Sequence, residues 1–144
     1  MEQFTKWEPL SGVSTWCFEI NFRTDRTGDF EVMLRFANTK EPGLPSLHLN
    51  FGPNVLAFTS YEEFVHPWVS NEVGPIPRLP EPYLNWPFPL LIVHDSLWFA
   101  SVVDDEIYKR SAFTHYRLVS LDNIVDVVSS GEVTARWEPV SETP

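Results

Sequence analysis

A chain of 144 residues with 43% hydrophobic and 21% charged residues has the size and balance of one globular domain, not of a disordered segment. Twenty Asp and Glu against ten Lys and Arg leave a formal charge of −10, a field that repels phosphate backbones and anionic membrane surfaces. The single cysteine, Cys17, excludes an internal disulfide and a cysteine-based zinc site, and no apolar run is long enough to cross a bilayer as a helix.

These bounds disfavour nucleic acid and membrane as partners. A basic protein would instead be attracted by the acidic field, although the simplest use of that charge is solubility. Residues 1–12 are acidic and lack the apolar stretch of a signal peptide, so the expected localisation is cytoplasmic. The aromatic share is high, at 15% with 11 Phe and 6 Trp. Aromatic residues favour strands and also anchor interfaces, and the core reading is taken first.

In chain order, residues 15–23 alternate Trp16, Phe18, Ile20 and Phe22 with Cys17, Glu19, Asn21 and Arg23. Residues 29–37 repeat the pattern with Phe30, Val32, Leu34 and Phe36, and a polar loop ending in Gly28 joins the two. A period of two on both sides of a glycine-bearing turn predicts an antiparallel hairpin. Strands are predicted over 46–51 and 54–59, with Gly52-Pro53-Asn54 between them as the turn of a second hairpin. Ser60 with Glu63 has the spacing of a capping box and predicts a short helix, ended by Pro67.

From 66 to 89 seven prolines alternate with Trp68, Tyr83, Trp86 and Phe88. That proline density opposes helix and central strand, whereas the rings oppose disorder. A long ordered loop, pinned by its aromatic residues across a core face, is expected. An apolar strand over 89–93 follows, central in its sheet because both of its faces are hydrophobic. Asp95-Ser96 then caps the main helix, residues 97–108, with Leu97, Ala100, Val103, Ile107 and Tyr108 on its buried side. Val102-Val103 keeps a strand over 98–103 open as the competing reading. Strands over 113–120 and 123–129 form a last hairpin, and Gly131 turns into a strand over 133–137 before a polar tail, 139–144.

Chemistry-bearing motifs are sparse. The four histidines, His48, His66, His94 and His115, show no zincin spacing, and six glycines in the chain form no phosphate-cradling loop, so neither metal nor cofactor is expected. His94-Asp95-Ser96 spells the letters of a catalytic triad, but neighbours on a strand point to opposite faces, which leaves Asp95 and Ser96 as caps. Asp104-Asp105-Glu106 is an acidic run without calcium-loop spacing and reads as a solvated helix end or a docking rim.

The C-terminal texture carries a resemblance. The strand 90–93 running into Asp95-Ser96, His115-Tyr116 opening a strand, and Val125-Asp126-Val127-Val128 closing the next look like small bacterial single-domain proteins, some of which accompany polymorphic toxins as immunity proteins. The resemblance spans about residues 46–137 and implies a binding role in which His115 and Tyr116 brace a loop.

The fold expected is α+β, a mostly antiparallel sheet of six to eight strands, curved or partly closed, with one main helix; an all-β sandwich or barrel is the alternative. The chain is read as one domain, 1–144. Its expected function is non-enzymatic protein binding, as an acidic immunity-type inhibitor of a basic partner. Trp68, Tyr83 and Trp86 would be the anchors, and Asp104, Asp105 and Glu106 the charged rim. Two alternatives stand beside it: a small-ligand binder with an aromatic-lined cavity, and a hydrolase using His94 or His115 with Asp95 or Asp126.

Overall fold

A computed structural model describes residues 2–37, 46–62, 75–102 and 107–138. Nine strands are described: β1 (Gln3–Lys6), β2 (Cys17–Thr24), β3 (Phe30–Phe36), β4 (Ser46–Asn50), β5 (Val55–Glu62), β6 (Leu90–His94), β7 (Thr114–Val119), β8 (Asn123–Ser129) and β9 (Thr134–Glu138). All pair antiparallel, in two open sheets of order β1-β6-β7-β8-β5 and β2-β3-β4-β9. The expected antiparallel pairing is therefore present, but as nine described strands in two open sheets rather than one curved or partly closed sheet of six to eight. No described helix is long and apolar enough to cross a membrane.

One buried cluster joins the sheets, with Leu34, Leu47, Leu90, Leu118, Val125 and Val127 all at 0% exposure. Aromatic rings run through it from one sheet to the other. Trp7 lies 4.4 Å from Tyr116, Tyr116 5.3 Å from Phe51, Phe51 6.1 Å from Phe30, and Phe30 4.6 Å from Phe58. Much of the aromatic excess is thus core, as the composition suggested.

The hairpin β2–β3 forms as the alternation predicts, and Gly28 takes a φ of +89° at its turn. The apolar phase at the start of β2 differs from the expectation. A register shift between Cys17 and Glu19 buries Cys17 and Ile20 and leaves Phe18 half-buried, beneath the Arg35 guanidinium. An extra residue in one strand reverses which side chains face inward, and strict period two cannot foresee it. The β7–β8 hairpin and interior β6, between β1 and β7, also match their expectations.

Three further expectations fail. Gly52-Pro53-Asn54 does not close a hairpin: β4 pairs with β3 and β9, β5 pairs with β8, and the turn carries the chain from one sheet to the other. The capping-box helix at Ser60 is instead the end of β5, where Ser60, Tyr61 and Glu62 face Val125, Ile124 and Asn123 of β8. A cap contributes about 1 kcal/mol, and a strand ladder supported by cross-strand packing outweighs it. Glu63 lies outside the described residues.

The helix α1 (Leu97–Val102) has six residues, and its buried side is not the one expected. Phe99 is 3% exposed and Trp98 half-buried, whereas Leu97 is 72% exposed, and so is Ile107 at 71%. Among the described helical residues, the cap position sets the inward face; Val103 of the expected stripe lies outside the described residues.

Candidate functional site

Side-chain alternation on β7 and β8 positions the site. Tyr116 packs on Trp7 and Phe51 in the inter-sheet core, so its neighbours His115 and Arg117 project from the opposite face. Arg117 is register partner to Asp126, and His115 to Val128, so the Asp126 carboxylate lies diagonally across the ladder from the imidazole. His115, Arg117 and Asp126 are all 3% exposed or less. Charged groups this deeply buried require partners. Arg117 Nε donates to Asp126 Oδ1 at 2.8 Å, and His115 Nε2 lies 2.7 Å from the same oxygen.

The third element arrives from the end of β6. Asp95 has a φ of +54°, a left-handed turn that aspartate tolerates better than most residues, and it swings Ser96 back over β7. Ser96 is the N-cap of α1: its Oγ accepts from the Phe99 amide at 2.9 Å, while its carbonyl accepts from the Ala100 amide. The Leu97 amide donates to Glu2 Oε2, which ties the start of the helix to the N-terminal segment. Ser96 Oγ also lies 2.6 Å from His115 Nδ1.

A continuous chain Ser96–His115–Asp126, backed by Arg117, results. With Asp126 ionised beside Arg117, the Nε2 of a neutral imidazole must carry the proton that Asp126 accepts. Nδ1 is then a bare acceptor, and the Ser96 hydroxyl donates to it. The Trp98 ring packs 5.1 Å from the imidazole.

Ser96 and His115 line an open pocket of about 330 Å³. Ile92, Val93, Phe99 and Phe113 form its apolar wall; His94, Asp95, Arg110 and Thr114 complete the polar part. Ring contacts hold the apolar side together, with Phe99 6.2 Å from Phe113, Tyr108 edge-on to Phe113, and the Arg110 guanidinium 5.9 Å over Phe99. Among the described residues, no three His, Cys, Asp or Glu side chains gather as a metal-binding group.

Of the residues selected from sequence as anchors, Tyr83 and Trp86 lie elsewhere. Tyr83 and Trp86 belong to one compact turn, in which the Tyr83 amide donates to Pro80 and the Trp86 amide to Tyr83. Both are half-buried against the core, and Trp86 stacks on Trp16 at 5.0 Å. Trp68, Asp104, Asp105 and Glu106 lie outside the described residues. Among the histidines, His94 shares a hydrogen bond with Thr5 Oγ1, and His48 pairs with Glu138.

The hydrolase alternative required two of its named side chains to converge in one cleft; His115 and Asp126 share a hydrogen bond, but His115 alone of the two lines the pocket, and Asp126 is buried. Ser96 was missed as a partner. Dismissing His94-Asp95-Ser96 rested on sequence neighbours diverging, but Ser96 takes its histidine from the next strand. The signal was legible: in a β7–β8 hairpin, alternation sets His115, Arg117 and Asp126 on one face, and Val93 pairs with His115 just before the cap.

No family model, curated protein or solved structure matches this chain. The site must therefore be interpreted from its own geometry.

Proposed function

We propose that the chain is a binding domain whose recognition site is the pocket between α1 and the β6–β7 strand pair. The observation that carries this reading is the combination of a cavity of about 330 Å³, aromatic on one side, with polar groups on the other that a buried network holds in place. Small-molecule sites have this composition, in which apolar walls supply affinity and a few fixed polar groups supply orientation. The ligand class that fits is a compact aryl or branched apolar body bearing a carboxylate or acyl oxygen, with its body on Phe99 and Phe113 and its oxygen towards Ser96 and Arg110. Within this reading the fold is a two-sheet sandwich with one short covering helix.

Phenylacetate is a suitable first probe. Saturable amide shifts confined to Ser96, Phe99, Thr114 and His115, and lost in Thr114→Trp, support the site. Absence of saturable shifts for a panel of small aryl and alkyl carboxylates would sink it.

Protein binding, as an acidic inhibitor of a basic partner, is the second reading. It is favoured by the charge of −10 and by Leu97 and Ile107, apolar side chains more than 70% exposed. Such a complex would weaken steeply as salt is raised, and replacing Leu97 by Lys would weaken it further. A partner whose affinity ignores both changes excludes this form of the reading.

A further inference from the structure

We propose that Ser96 is a nucleophile and His115 its general base, making the pocket an acyl-transfer site for small esters. The inference rests on the pocket reading above. Its basis is the hydrogen-bond chain from Ser96 Oγ to His115 Nδ1 at 2.6 Å and from His115 Nε2 to Asp126 Oδ1 at 2.7 Å, with the hydroxyl end in the pocket wall. A purely structural brace could be buried throughout. This chain instead runs from a carboxylate at 2% exposure to a serine that lines a cavity.

The distances permit the hydrogen-bond directions that the chemistry requires. Asp126, neutralised by Arg117, fixes the proton on Nε2 and leaves Nδ1 as the base. The imidazole is used in the opposite sense to the familiar triad, where Nε2 faces the serine, but the relay requires only that one nitrogen accept while the other donates. The Phe99 amide, 2.9 Å from Oγ, holds the serine rotamer and stabilises negative charge as it develops there. Arg110 brings positive charge to the same pocket, in which the tetrahedral oxyanion would form.

The step balances as follows. Oγ forms a bond to the acyl carbon as its proton passes to Nδ1, and the ester C–O bond then breaks as the leaving alkoxide takes that proton. Water, deprotonated by Nδ1, next attacks the acyl-serine, and Ser96 recovers its proton as the carboxylic acid departs. Ester and water give acid and alcohol, with no other reactant.

The test is labelling by an alkyl fluorophosphonate, read by intact mass and peptide mapping. One adduct on Ser96 is expected, absent in Ser96→Ala and formed about a hundredfold or more slowly in His115→Gln, the scale of general-base assistance. If His115→Gln does not fold, the pH profile of the wild-type rate decides. A rate that rises and then levels supports an imidazole base, whereas a continuous tenfold rise per pH unit overturns it. Phenylacetate shifts without any adduct refute the nucleophile and leave the pocket reading standing; loss of both refutes the two together. An adduct on another residue, or labelling unaffected by His115→Gln in folded protein, also overturns the proposal.

Discussion

Replacing Asp126 by Asn tests how the buried network is held together. The substitution preserves shape and one acceptor oxygen but removes the charge that balances Arg117, whose Nε is 2.8 Å away in a site where both residues are 3% exposed or less. Removing one member of a buried ion pair costs about 3–5 kcal/mol, because the remaining charge stays desolvated. Total stability of a domain is about 5–15 kcal/mol, so the loss is large but survivable. Urea unfolding followed by tryptophan fluorescence measures it. With a slope of about 1–3 kcal/mol per molar, the midpoint should fall by roughly 1–5 M at unchanged slope. Adding Arg117→Met should recover much of the loss, since an apolar side chain of similar length no longer leaves a charge unbalanced. A loss below about 1 kcal/mol for Asp126→Asn, or no recovery in the double variant, would refute the reasoning.

Other expectations concern the frame around the site. Leu49, 1% exposed in β4 between β3 and β9, should cost about 2–5 kcal/mol when truncated to Ala, and a loss under 1 kcal/mol in urea unfolding would contradict the shared core. Desolvation pushes the Cys17 thiol up to about 12, so it should resist an aromatic disulfide reagent in mildly alkaline buffer and react at once in denaturant; rapid labelling of native protein would show that β2 opens there. Asp25 Oδ1 accepts from the Thr27 hydroxyl and from the Thr27 and Asp29 amides, and the Thr27 hydroxyl bond contributes most to holding its carboxyl below the ordinary 3.8. The carboxylate form accepts those bonds, so its contribution is present above the ordinary value and is lost as pH falls through the lowered native value. Asp25→Ala should therefore melt earlier than wild type near neutral pH, with the gap closing in strong acid; a gap independent of pH would contradict this role.

Local patterns in the sequence were sufficient where neighbouring residues decide the structure. The alternation around Gly28 and the pair of strands joined by Leu121-Asp122 specify hairpins, because the strands and their turn are contiguous. Strand partners distant in the chain were not legible. Nothing in Gly52-Pro53-Asn54 distinguishes a hairpin turn from a crossing between sheets, and β1, only four residues long, acquires its identity by pairing with β6 some ninety positions later. The capping-box motif at Ser60 was genuine local chemistry overruled by pairing with β8. The site followed the same rule: Ser96 was recognised as a cap from its immediate context, whereas its contact with His115 depends on the register between β6 and β7.

The central claim is that His115 presents a bare Nδ1 to the Ser96 hydroxyl because Asp126 and Arg117 hold the proton on Nε2. A long-range proton–nitrogen correlation spectrum of nitrogen-labelled protein near neutral pH measures this directly. The account predicts that His115 is a neutral imidazole protonated at Nε2, with Nδ1 shifted by an accepted hydrogen bond that disappears in Ser96→Ala. A proton found on Nδ1, or ring nitrogens averaged as in a solvent-exposed histidine, would contradict it.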